Sequence, residues 1–236
     1  MHPRHGRRLP LSDAQSLRLA TASWAVPTVS IVLAMGVHAV NGARAIPFFI
    51  SEADHEGLQD LVFSVGLTLA GLVQLAYAWH LYHAVEPQRH RLWFVATLVA
   101  LFAATNTVLV ANLDMYDHIN PHIFTSMSAF GGGILWVALA QRALGERAHP
   151  SGRRMRTTGL TMAAVGFAVM VVSFQLAVNS FDATGMTTEA FLNEAQTGIR
   201  LAAPAEYVLV AGLFVSLASF RHELKPQGGS STLSEG

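Results

Sequence analysis

Six apolar stretches, each near the roughly 20 residues that a helix needs to cross the ~30 Å hydrocarbon core of a bilayer, divide this chain of 236 residues. They cover residues 22–40, 58–85, 92–111, 121–144, 157–179 and 200–220. Lipid offers no partner for backbone N–H and C=O groups, so a spanning segment must be a helix or a strand of a closed barrel. The alternation of a barrel strand is missing from all six, which leaves helices. Composition agrees: 52% of residues are hydrophobic and only 13% charged, against about one quarter charged in soluble domains. The fold class expected is an all-α membrane protein, a six-transmembrane-helix bundle. Its parts are a basic N-terminus (1–21), one six-helix domain (22–222) and a Gly- and Ser-rich tail (223–236) expected to be disordered.

The charges are sorted by side. Arg4, Arg7, Arg8 and Arg18 precede the first span, Arg89 and Arg91 follow the second, and Arg142, Arg147, Arg153, Arg154 and Arg156 follow the fourth. Arg221 and Lys225 follow the sixth, so the three remaining gaps hold only Arg44 and Arg200. By the positive-inside rule this partition places both termini in the cytoplasm. The outer gaps collect Glu52, Asp54, Glu56, Asp60, Asp114, Asp117, Asp182, Glu189 and Glu194. A net charge of zero gives no reason to expect nucleic acid as a partner, and the basic inner loops name no protein partner. The absence of cysteine removes disulfides, thiolate metal sites and cysteine nucleophiles. The basic start followed by an apolar run has the form of a secretory signal, with Ala43-Arg44-Ala45 as a cleavage pattern. The run is longer than an ordinary signal core, which favours an uncleaved span. No internal repeat supports an inverted-repeat transporter.

Polar residues inside the spans are the candidates for function. Glu206 lies about five residues, roughly 8 Å at ~1.5 Å per residue, inside the outer end of the sixth span. A carboxylate at mid-membrane costs ~2.5–3.5 kcal/mol on insertion scales, so Glu206 should face protein or water. Pro204, two residues earlier, loosens the local backbone. Asn120-Pro121-His122 reads as an N-cap, a proline at the first helical position and a histidine at the second. That reading leaves His118 outside the helix and disfavours an i, i+4 metal pair with His122. His38, Asn106, Asn112, Gln175 and Asn179 share the outer depth. Each alone is ordinary interhelical glue, whereas their convergence with His122 and Glu206 outlines a pocket. Tyr77, His80, Tyr82 and His83 at the inner end read as an aromatic and histidine belt. Gly66, Ala70, Gly71 and Gly131 to Gly133 read as close helix contacts. In the first outer loop, Ile46-Pro47-Phe48-Phe49-Ile50 is an apolar patch expected to dip into the interface or cover the mouth of the bundle.

At this loop the chain resembles the FRAG/DRAM/SFK group of six-span proteins, which shares its domain with the N-terminal part of the yeast CWH cell-wall protein. Pro47, Phe49, Ile50, Ser51 and Glu52 match that family's Pro-aromatic-Ile-Ser-acid motif. Val110-Ala111-Asn112-Leu113 is similar to the end of its third span, with Leu113 replacing an aromatic, and His122 follows ten residues after the Asn. Glu206-Tyr207 resembles its sixth-span Glu-aromatic pair. The resemblance runs from about Trp24 to Phe220. It implies a link to membrane lipids, because eukaryotic relatives are tied to remodelling of glycosylphosphatidylinositol anchors, to phosphoinositide signalling and lipid asymmetry, and to autophagy. The Ala- and Arg-rich, cysteine-free composition suggests a bacterial plasma membrane, where such anchors are not expected.

Two functions follow as expectations. In the first, an outward-facing polar pocket holds the headgroup of a membrane lipid, with Ser51, Glu52, His38, Asn106, Asn112, His122, Gln175, Glu206 and Tyr207 as binding residues. In the second, a lipid hydrolase or acyltransferase uses Glu206 or His122 as general base, with water or a metal as partner. His38, His55, His118 and His122, with the nearby acids, are adequate ligands, but no metal signature such as HExxH is present, and the sequence assigns no identity to a cofactor. A proton-coupled transporter lacks acids in the inner halves to carry a relay.

Overall fold

Hydropathy locates lipid, whereas capping chemistry locates helix ends, and the two separate at the side of the basic loops, termed inner, as against the acidic side, termed outer. The computed structural model describes residues 11–224. Apart from Glu223 and Leu224, the expected disordered tail lies outside the described residues, as do the first ten positions. Of the described residues 81% are helical, with no strand. The helices are α1 (Asp13–Val40), α2 (Leu58–Ala84), α3 (His90–Val110), α4 (Ile119–Leu144), α5 (Pro150–Val178), α6 (Thr188–Glu194), α7 (Gln196–Ser219) and α8 (Arg221–Leu224). Six of them are long and apolar enough to cross a membrane. The chain is an integral, multi-pass membrane protein.

α1 begins at Asp13 rather than near Ala22 because Ser12 and Gln15 close a capping box, Gln15 N–H donating to Ser12 Oγ (3.3 Å) and Ser12 N–H to Gln15 Oε1 (2.8 Å). α5 likewise starts at Pro150, with the His149 ring accepting the Ser151 N–H. These added turns carry Arg18, Arg153, Arg154 and Arg156 beyond the apolar stretches. α4 starts at Ile119, so Asn120 and Pro121 lie within the helix and the expected Asn120 cap is not used. The His122 N–H donates to His118 C=O (2.9 Å), placing the two histidines one turn apart. They still do not form a pair, because His118 is exposed and His122 buried.

α1 to α4 pack each on the next, while α5 and α7 form a separate tight hairpin that meets α4 through both of its helices and α1 through α7. Small residues set the approach of α5 and α7. A Cβ on Gly159 would stand 2.5 Å from Gly212 C=O, and one on Gly166 would stand 2.6 Å from Ala205 C=O, so the backbones themselves are in contact. Of the glycines expected at close contacts, Gly66 meets Ser30, Gly71 meets Ala104 and Val108, and Gly133 meets Leu213, whereas Gly131 has open space.

At the inner end Arg156 is fully buried, its Nη2 donating to Glu223 Oε1 at 2.7 Å with the Phe220 ring 4.7 Å from the guanidinium carbon. Glu223 also accepts the His149 N–H, tying α5 to α8. The inner belt divides by helical phase: Trp79, Tyr82 and His83 meet one another edge-on or tilted, while Tyr77 and His80 are buried. The belt reading holds for the first group and not for the second.

Candidate functional site

The apolar patch of the first outer loop folds back over the bundle as a roof. Phe48, Phe49 and Ile50 are buried, and a short 3-10 turn runs from Ile50 to Ala53. The roof is held mostly by side chains bonding to its backbone. Ile50 N–H donates to Glu206 Oε2 (2.8 Å), Phe49 N–H to Glu52 Oε1 (2.8 Å), Gln196 Nε2 to Pro47 C=O (3.1 Å) and the Tyr207 hydroxyl to Phe48 C=O. α7 therefore supplies three of the four fastenings. Polar backbone buried at this depth requires such partners, and the roof motif carries its acid for that purpose.

Beneath the roof lies a slot with a cavity volume of about 130 Å³. Ser51, His122 and Glu206 line its outer end, and Tyr77, Trp136 and Leu217 its inner end. His122 and Trp136 are fourteen residues apart on α4, roughly 21 Å at ~1.5 Å rise. Between them the wall is mainly Ala, Leu, Val and Phe from α2, α3, α4 and α7, interrupted by Gln74, Thr107 and Ser126.

Glu206 is 5% exposed, and its second oxygen, Oε1, has no protein hydrogen bond. His122 Nδ1 lies 2.5 Å from Leu113 C=O. A carbonyl can only accept, so Nδ1 carries the proton and Nε2 keeps its lone pair. That Nε2 is buried without a partner. Asp54 Oδ2 stands 3.9 Å behind the ring and accepts the Met115 N–H.

Charges above the roof are closed off. Arg44 reaches Glu52 through Nη2 (3.0 Å) and a less well aligned Nε contact (2.8 Å), and Gln196 Oε1 through Nη1 (2.6 Å), with Asn193 at 3.4 Å. Burial pushes the Glu52 carboxyl up, while the Phe49 N–H and Arg44 oppose that shift. Asp54 is pushed up to about 8, by burial first and then by the neighbouring Asp114, with the Asp60 carboxyl adding to the effect. Burial, with Glu52 next, raises the Tyr116 phenol.

The residues expected from sequence divide accordingly. Ser51, His122 and Glu206 meet at the slot; Glu52 and Tyr207 hold the roof. His38 is buried edge-on to Phe48, 4.9 Å between centroids, and lies outside the slot lining. Asn106 donates to Phe102 C=O of its own helix, Asn112 to Thr68 Oγ1 of α2 and to Val108 C=O, and Gln175 to Asn179 on an exposed face. None of these three reaches the slot. Arg44, Asp54 and Gln196 belong to the site without having been singled out. Arg44 had a signal: it is one of two basic residues on the acidic side, a place that needs a specific partner. Among the described residues no three His, Cys, Asp or Glu side chains are grouped to hold a metal ion.

Residues 15–227 match the family described as Frag1/DRAM/Sfk1/Cwh43P N-terminal domain. The chain belongs to this family. No curated protein and no solved structure matches it significantly. The segments that carry the family resemblance, Pro47 to Glu52, Val110 to Leu113, His122 and Glu206-Tyr207, all lie at the outer end of this bundle. Pro47 to Glu52, His122 and Glu206-Tyr207 build the roof and the slot's outer end. Val110 lines the slot and Leu113 fixes the His122 ring.

Proposed function

We propose that this Frag1-family protein binds a membrane lipid, with an acyl chain in the slot and its polar end against Ser51, His122 and Glu206, in a lipid-handling or membrane-homeostasis role. The observation that carries the reading is the distribution of polarity along the slot. Its wall is apolar for most of its length, and its carboxyl and imidazole groups stand together at one end. Burying a chain there removes apolar area from lipid and gains little by itself, so retention rests on packing and on the polar end. Native mass spectrometry of gently purified protein tests this. A stoichiometric lipid should be retained and should be lost in Ala129→Phe, which places a ring in the slot; only bulk lipid in membrane proportion counts against the proposal.

A second reading is supported by the tautomer of His122. With Nδ1–H engaged, Nε2 can take a proton from water or a lipid hydroxyl attacking an ester carbonyl, then return it to the departing oxygen. Lipid turnover by reconstituted protein, abolished in His122→Gln, is the expected outcome. The cytoplasmic placement of both termini, in a bacterial plasma membrane, is likewise a proposal, supported by the charge partition and the composition. Reporter fusions at either end should be active only on the cytoplasmic side.

A further inference from the structure

We infer that the polar end of the bound lipid is an uncharged or cationic hydrogen-bond donor, a hydroxyl or a primary amine, and not a phosphate. The inference rests on the lipid-binding reading above and specifies its ligand. The buried group left unused at the outer end of the slot is an acceptor, and the ionised Glu206 adds a second. Glu206 Oε1 has no protein partner; it accepts when the carboxyl is ionised and carries the hydroxyl when the carboxyl is protonated, because Oε2 already takes the Ile50 N–H. His122 Nε2 is an acceptor because Nδ1 holds the proton, and it is buried without a partner on a side chain only 1% exposed. An orphaned acceptor at such depth costs free energy that a ligand donor would recover. The Ser51 hydroxyl can donate or accept and decides nothing.

Among the described residues no cation is placed to receive a phosphate. Arg44 is the basic residue nearest the roof in sequence, and its Nε, Nη1 and Nη2 groups are taken up by Glu52, Gln196 and Asn193. It does not line the slot. Arg200, the other outer basic residue, is on an exposed face of α7 and is also absent from the lining. Asp54, with Asp60 and Asp114 in its surroundings, stands behind His122. A phosphate beneath this roof would meet carboxyls and an imidazole lone pair, whereas a hydroxyl has a proton to donate to one of Glu206 and His122 and an ammonium has protons enough for both. Hydrogen bonds to a charged partner exceed neutral ones in strength, which favours the amine further where Glu206 is ionised.

The test uses the full chain in one detergent and three amphiphiles of equal chain length with brominated tails: an alkylamine, an alkanol and an alkyl phosphate. Trp136 lines the inner end of the slot, so quenching that disappears in Trp136→Phe reports occupancy of the slot itself. The amine and the alkanol are expected to act at concentrations about tenfold or more below the phosphate, as one charge-assisted hydrogen bond allows. In Glu206→Gln the margin between amine and phosphate should narrow. Equal or tighter binding of the phosphate to the unmodified protein overturns the inference without need of any variant. Absence of Trp136-dependent quenching by all three, or quenching unchanged in Ala129→Phe, overturns the lipid-binding reading along with it.

Discussion

Arg44 and Glu52 form an ion pair with side chains only 8% and 0% exposed, and such pairs are costly to break from one side. Arg44→Gln leaves a buried carboxylate unpaired and should destabilise by roughly 3–5 kcal/mol. Glu52→Gln alone should cost less, because an amide can still accept the Phe49 N–H. The double variant should recover much of the Arg44→Gln loss, and thermal unfolding of the four proteins in detergent gives the coupling. Asp54 predicts a pH dependence. Its carboxyl holds a proton to about pH 8 when folded but releases it near pH 4 when unfolded. The folded state binds the extra proton, so stability falls as pH rises between these values and levels off above the higher one. Asp54→Asn should flatten that slope while retaining an acceptor for the Met115 N–H. Glu206 was legible in the sequence because a carboxylate within a span needs a reason. His38, Asn106, Asn112 and Gln175 lie outside the slot lining, because depth can be read along an apolar helix while facing cannot. A helix apolar on every side lacks the polar stripe that tells inside from outside in a soluble protein.

Helix existence and the C-terminal ends of the six spans, each within one residue, were legible from hydropathy, whereas the starts of α1 and α5 were not, since Ser12, Gln15 and Pro150 act by capping the backbone and leave the apolar count unchanged. The short α6, capped by Thr187, is too short to register against a span-length window. Between elements, the α5 and α7 contact is the most exacting in the bundle. A Cβ on Gly166 would lie 2.6 Å from Ala205 C=O and 2.7 Å from Leu209 N, and neither backbone atom can move without shifting α7. Gly166→Ala should cost roughly 1–3 kcal/mol, read as a lowered melting temperature. At Gly131, where a Cβ meets nothing within 4 Å, the same substitution should be neutral or slightly stabilising.

The architecture of the whole molecule sets α1 to α4 as one consecutive series and α5 with α7 as a second body, with the slot where the two meet. The link between them is the short inner turn 145–149, just beyond the point where Arg89 N–H bonds to Ala143 C=O. Neither body encloses the slot alone: α7 brings Glu206 and Leu217, α4 brings His122 and Trp136, and the roof joins them through Ile50. During synthesis the first four spans leave the insertion machinery before the hairpin that completes them, so a half-built slot faces lipid while the rest of the chain is still being made. A lipid already resting in that groove would then be walled in by the docking of α5 and α7. Loading could thus precede the finished fold, making the occupied protein a product of assembly as well as of equilibrium exchange. Chains cut within 145–149 and produced as two pieces should reassemble in the membrane, and delayed supply of the second piece would show whether occupancy follows the order of arrival.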